Sequence, residues 1–342
     1  MKPPRLHADW TNLVYFNPTS TRFQIESFWI KANDPTSRRA VWLRFTLFSN
    51  AKEQYGEMWS IYFDAERGER LATREAFPLN RVRFDPERAG IGIGECSLES
   101  DRSTGVIRDP AFTIAWDLRL EDAAPPYTQY PLMLLYRNPL FPKKKLTSPH
   151  PDATMSGVLE IWRRNAGNDA LETIDLAGWR GMQGHVWGKH HIERYVWMHC
   201  NMFDGIDSGA WLDVGSGQVR VGPWLLPHLT VGKLVLDGKT YRFDTVRHLR
   251  AHDIDYRPAH FAFTLRGPDG ELRGKVHSKK DETVGLTYTN PNGKTAYCIN
   301  SAIAHLDMEL LPRDGAPRAM SSARAMLEVT QLDANHGIPL ML

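Results

Sequence analysis

Tyr195-Val196-Trp197-Met198-His199-Cys200-Asn201-Met202-Phe203 is the stretch on which the reading of this chain turns. Strict alternation puts Tyr195, Trp197, His199, Asn201 and Phe203 on one side of an extended strand. Val196, Met198, Cys200 and Met202 fall on the other. The even side is wholly apolar and belongs in a packed layer. The odd side joins aromatic rings to two hydrogen-bonding groups, a combination suited to an apolar pocket with a few placed polar contacts. The same residues could equally satisfy buried backbone groups at a seam. Just upstream, Gly181-Met182-Gln183-Gly184-His185-Val186-Trp187-Gly188-Lys189-His190-His191 adds three more histidines and another tryptophan.

Period-two patterning recurs along the chain. Val41, Leu43, Phe45 and Leu47 alternate with Trp42, Arg44, Thr46 and Phe48, and Trp59, Ile61 and Phe63 follow suit. Gly267-Pro268-Asp269-Gly270 and Asn290-Pro291-Asn292-Gly293 punctuate the later strands as turns. An all-β, antiparallel protein is expected, with Ser321–Leu327 the best candidate for a helix. Between residues 121 and 151 seven prolines argue against a central strand, and the tyrosines among them argue for an ordered, extended crossing segment.

A weak internal repeat aligns Val41–Phe48 with Val196–Phe203, Ser27–Lys31 with His185–Lys189, and Trp59 with Trp211. It divides the chain into residues 1–170, which include the crossing segment, and residues 171–342. The total of 342 residues suffices for two domains of about 100–200 residues.

Composition excludes several function classes. Basic and acidic residues number 42 and 40, so no global field selects nucleic acid. No apolar run reaches the roughly 18–20 residues of a spanning helix. Peripheral contact with a membrane stays open. Cys96, Cys200 and Cys298 show no Cys-x-x-Cys spacing, which suits reduced thiols and a cytoplasmic location. Cys200, on the apolar side of its strand, reads as an inert buried thiol. His185, His190, His191 and His199 lack the local spacing of a zinc site, so neither a metal nor another cofactor is expected. Glu26 and Arg44 could form a buried ion pair on neighbouring strands.

Trp179-Arg180-Gly181-Met182-Gln183-Gly184-His185-Val186-Trp187-Gly188, with Tyr195-x-Trp197-x-His199-Cys200-Asn201-x-Phe203, resembles the opening of the second domain in a known superfamily. That superfamily comprises carotenoid 1,2-hydratases (hydroxyneurosporene synthases), tocopherol cyclases and AttH-like proteins. Val186, Tyr195 and His199 depart from its commonest residues, which leaves the branch open. Glu26–Asn33, Trp42–Thr46, Tyr136–Pro139 and Lys145–Pro149 look like first-domain elements of bacterial relatives. The resemblance implies two tandem lipocalin-like antiparallel β-barrels. It also implies a hydrophobic small-molecule ligand, such as an isoprenoid, polyene, lipid or polyketide-like compound, and cofactor-free acid/base hydration or cyclisation. In that reading His199 or His185 supplies the proton, and Tyr195 and Asn201 hold the oxygen function. Trp187 and Trp197 face a developing cation, and Phe203 completes the wall. A non-catalytic lipid carrier is the competing expectation.

Overall fold

The computed structural model describes residues 10–138, 142–164, 169–189, 194–206, 208–218, 220–221, 224–225, 227–331, 333 and 335–342. His190, His191 and Glu193 lie outside them. The chain is all-β and builds two large antiparallel sheets in tandem.

The first contains β1 (Gln24–Asn33), β2 (Arg39–Ser49), β3 (Gln54–Asp64), β4 (Glu69–Pro78), β5 (Val82–Phe84), β6 (Ile91–Ile93), β7 (Cys96–Leu98), β8 (Arg102–Arg108), β9 (Phe112–Glu121), β10 (Tyr127–Thr128), β11 (Lys144–Arg163), β12 (Ala170–Asp175) and β13 (Trp179–Gly188). The second contains β14 (Arg194–Cys200) and β15 (Trp211–Gln218). After a small ribbon of β16 (Arg220–Val221) and β17 (Trp224–Leu225), it continues with β18 (Leu229–Leu236), β19 (Lys239–Arg242), β20 (Asp253–Arg257), β21 (His260–Gly267), β22 (Gly270–His277), β23 (Val284–Thr289), β24 (Thr295–Pro312) and β25 (Arg318–Gln331).

The two sheets share one wiring plan. In the first, the order runs β4-β3-β2-β1-β13-β11-β9-β8; in the second it runs β19-β18-β15-β14-β25-β24-β22-β21. Each half thus opens with a meander whose first strand pairs with the last strand of the same half. The repeat is real at the level of topology, but its strand register differs from the sequence alignment. β14 corresponds to β1, not to the Val41–Phe48 strand. Ser27 and His185 are not counterparts in two copies, since β1 and β13 are direct neighbours with Phe28 opposite His185. Aromatic strands of similar pattern had aligned one strand out of step. Sheet membership also changes after Gly188, not near residue 170, because β12 and β13 complete the first sheet.

Two further expectations are corrected. Lys144–Arg163 is one long strand between β13 and β9, although it carries Pro149 and Pro151. Its register against β13 shifts between Thr147 and His150 and again between His150 and Ala153. A proline has no N–H to give a ladder, and these irregular positions do not require one. Ser321–Leu327 is not helical but part of β25, paired on both sides with β14 and β24. Ladder pairing and burial outweigh the local helix preference of Ala, Met and Leu.

Each sheet curls around its own core. Val41, Leu43, Phe45 and Leu47 point into the first, and Val196, Met198 and Cys200 into the second. The opposite faces do not meet water. Trp29, Trp42, Trp59, Ile61 and Phe63 pack with Trp197, Leu286, Cys298, Ile303 and Met326 in a third core between the halves. Hence every residue of β1 is buried, and β2 is buried from Ala40 onward.

The glycines of β13 make this close approach possible. A Cβ on Gly184 would stand 2.1 Å from the Trp29 ring. Gly184→Ala should therefore displace Trp29 and destabilise the protein by about 1–3 kcal/mol. Urea unfolding checks this; unchanged stability would contradict the packing described.

Candidate active site between the two sheets

A cavity of about 270 Å³ lies where the two sheets meet. Trp29 and Trp42 enter from β1 and β2, Leu146 and Val186 from β11 and β13, and Trp197 and Val231 from β14 and β18. The crossing segment covers it, contributing Gln129, Tyr130, Pro131 and Leu135. The wall is mostly apolar, and its ionisable side chains are Arg44, Tyr130, Lys144, Tyr195 and Glu328.

Tyr195 and Glu328 form the polar focus. The Tyr195 hydroxyl donates to Glu328 Oε1, and Asn300 Nδ2 donates to Oε2 at 3.4 Å. Pairing of β14 with β25 creates this contact: Trp197 faces Glu328 across the ladder, and Tyr195 reaches it diagonally. Burial and the adjacent carboxylate push the Tyr195 phenol well above its usual pKa. The Lys144 ammonium stands 5.0 Å from the Tyr195 ring centroid.

Immediately behind Trp197 lies Asp213, fully buried on β15. It accepts hydrogen bonds from Trp197 Nε1 at 3.2 Å and Ser148 Oγ at 3.1 Å. Burial pushes its pKa up to about 7, although bonds from Trp197, Ser148 and Gln129 oppose the rise. Trp197 and Gln129, two of its neighbours, are themselves cavity walls. Sequence reading missed Asp213 and Glu328. Asp213 belongs to an alternating stretch, Trp211-Leu212-Asp213-Val214, in which a carboxylate on a buried strand was the available signal.

Of the candidate site residues named from sequence, Tyr195 and Trp197 line the cavity, and His185, Trp187, His199, Asn201 and Phe203 do not. His185 is fully buried, with Nδ1 2.8 Å from the Thr11 carbonyl and Nε2 2.8 Å from Glu26 Oε1. Its ring stacks on Phe28 at 3.9 Å and on Trp187 at 4.6 Å. Glu26 also accepts from the Tyr15 backbone N–H, so its partner is His185 and not Arg44. Trp187 packs against both His185 and Tyr15, each with its ring centroid 4.6 Å away. His199 continues the odd face of β14 into the seam between the halves, where its Nε2 donates to the Pro151 carbonyl at 2.7 Å. Burial, and then the Lys31 charge, hold its pKa well below the imidazole range. Among the described residues its Nδ1 has no hydrogen-bond partner.

Asn201 is fully engaged in the same seam. It accepts from Lys31 Nζ at 3.1 Å and donates to Asp152 at 2.9 Å and to the Gly181 carbonyl at 2.8 Å. Asp152 is in turn ion-paired with Arg180. β14 ends at Cys200, so alternation lapses and Phe203 turns into the second core. Cys200 is a buried free thiol. Among the described residues no three metal-ligating side chains converge, and no helix is long and apolar enough to cross a membrane.

This architecture has solved counterparts. An AttH-like protein from Nitrosomonas europaea superposes with a TM-score of 0.55 at 14% identity, covering 91% of this chain and 93% of the other. The chain has an AttH-like fold. CghA matches with a TM-score of 0.56 at 10% identity, covering 92% and 90%. Kievitone hydratase from Nectria haematococca gives 0.51 at 11% identity, covering 94% of each chain. The fold of these neighbours agrees with the fold that the motif resemblance implies. By sequence, the chain is 25% identical over 295 residues to the uncharacterized protein Rv0493c of Mycobacterium tuberculosis, covering 84% of this chain and 81% of that protein. No family model matches.

The raised pKa of Asp213 carries a stability signature. The folded state holds its proton more tightly than the unfolded chain, so this contribution is complete at acid pH. It is lost as pH rises through about 7. Asp213→Asn should therefore gain stability relative to the unchanged protein between about pH 5 and pH 8. Urea unfolding of both proteins at the two pH values checks the sign; a pH-independent difference would contradict it.

Proposed function

We propose that this protein binds an apolar small molecule in the cavity between its sheets and catalyses cofactor-free hydration or ring closure of it. The observation that carries the reading is a largely apolar cavity walled by Trp29, Trp42 and Trp197, with one carboxyl group on the wall and another behind it. Two carboxyls in unequal surroundings are the arrangement from which acid and base roles can be divided. Asp213, one layer behind Trp197 and with its pKa raised by burial to about 7, is the acid of this reading, and its proton passes to the cavity through a bound water. Glu328, acting through Tyr195, is the base that takes a proton from water or from the substrate hydroxyl. Protonation of an alkene leaves a carbocation, and the three indole faces stabilise it electrostatically where water would quench it. Tyr195 positions the oxygen that adds. The ligand class in this reading is an isoprenoid, polyene, lipid or polyketide-like compound. The name of kievitone hydratase, a fold neighbour, supports hydration as a chemistry compatible with such a scaffold.

A carrier is the second reading. It is favoured by the placement of His185 and His199 off the cavity wall, with both ring nitrogens of His185 and Nε2 of His199 engaged by protein groups. The readings part on turnover. Apolar extract from the host is incubated with the protein in deuterium oxide and examined by mass spectrometry. Catalysis should introduce one non-exchangeable deuterium into a product, and Glu328→Gln and Asp213→Asn should each reduce its rate at least about a hundredfold while the ligand still co-purifies. Co-purification without any labelled product would establish the carrier instead.

A further inference from the structure

Three chain segments that line the cavity continue into exposed apolar residues. In the crossing segment Pro131 and Leu135 are cavity walls, and Leu132, Met133 and Leu134 between them are exposed. Gly217 on β15 and Leu229 on β18 are walls as well. The ribbon of β16 and β17 that joins them presents Trp224, which is 74% exposed. Leu249 is a wall from the third segment, and exposed Val246 opens the 3-10 turn just before it. Hydrogen bonds fix these pieces beside the cavity. The Tyr130 and Tyr136 hydroxyls donate to the Lys144 and Leu146 carbonyls on β11, and the Thr230 N–H donates to the Leu249 carbonyl. Single exposed apolar residues need no explanation, whereas five on segments that share one cavity do.

Charge is distributed with them. Residues 129–147, 214–232 and 245–252 contain seven Lys or Arg and no Asp or Glu, although the whole chain carries 40 acidic residues. Arg137, Lys143, Arg247 and Arg250 in these segments are exposed. A chain of nearly balanced charge therefore has one basic, acid-free region, and its exposed apolar side chains lie in it. Tryptophan and leucine interleaved with Lys and Arg suit the headgroup boundary of a bilayer, where apolar side chains enter and cations meet anionic lipid. A second copy would instead bring like charge against like. Separate loop tips also suit a fluid surface, which needs no matching shape.

We infer that this rim docks on the surface of an anionic phospholipid bilayer. Trp224, Leu134 and Val246 enter the headgroup region, and Arg137, Lys143, Arg247 and Arg250 meet the phosphates. The docking does not depend on what the cavity holds. If the cavity binds an apolar molecule as proposed above, the rim sets it beside the phase in which such a molecule dissolves.

Vesicles of phosphatidylcholine alone, and of equal parts phosphatidylcholine and phosphatidylglycerol, are sedimented with the full-length protein at low and at high salt. At low salt the anionic vesicles should bind at least about tenfold more tightly than the neutral ones, and the difference should shrink as salt is added. Arg247→Gln combined with Lys143→Gln should weaken anionic binding about thirtyfold. Trp224→Ser should weaken it about tenfold. Lys52→Gln combined with Arg88→Gln, at exposed positions outside the three segments, should leave it unchanged. Urea unfolding confirms that each variant is folded. No preference for anionic vesicles, or an equal loss from the Lys52 and Arg88 changes, overturns the docking surface. A dimer in solution that Trp224→Ser separates, without vesicle binding, assigns the rim to a second copy and overturns it too. Vesicle binding is read without ligand, so its failure leaves deuterium incorporation to decide the proposed reaction.

Discussion

The structure depends on burying both faces of the same strands. β1, β2, β3 and β14 each send alternate residues into a barrel core and the rest into the layer between the halves. Apolar area of this kind contributes about 25 cal/mol per Å² removed from water. It also imposes a condition, because any polar group on the inner layer must find a partner or cost stability. Lys31, Asn201, Asp152 and Arg180 meet it as a connected set linking the two halves. Where the same layer leaves space under the crossing segment, the condition relaxes and polar groups with incomplete partners remain.

That difference along one strand separates scaffold from site. On the odd face of β14, Tyr195 and Trp197 border the cavity, whereas His199 and Asn201, further along, are held by Pro151 and Asp152. The proposed site is assembled from sequence-distant pieces: Arg44 in the first meander, Lys144 where β11 begins, Asp213 in the second meander and Glu328 on the last strand. No barrel interior has to be hollow for this protein to bind a ligand. The two barrel cores are filled by side chains, and the recess arises where two outer faces fail to meet.

Much of the fold was legible in the residues. Alternation in Val41–Phe48 and Tyr195–Phe203 identified strands and both of their faces, and the odd face of β14 does contain two cavity walls. Four features were not legible, for physical reasons. Pro149 and Pro151 sit in a central strand because bulges absorb their missing donors, and bulges are set by partner strands. Ala-Arg-Ala-Met-Leu in β25 carries helix preference that only the ladders on either side override. His185 and His199 drew attention by residue type, but their roles depend on Thr11, Glu26 and Pro151, which sequence spacing does not reveal. Glu328 escaped notice because its neighbours Leu327 and Val329 make it look like a polar interruption in an ordinary strand.

The central claim is that function resides at the junction of the sheets and not inside either barrel. A crystal structure of the protein bound to its co-purified ligand tests this most directly. Density between Trp29, Trp42 and Trp197, with Tyr195 and Glu328 beside it, is the predicted result. Density among the residues of either barrel core, with the junction unchanged, would contradict the account.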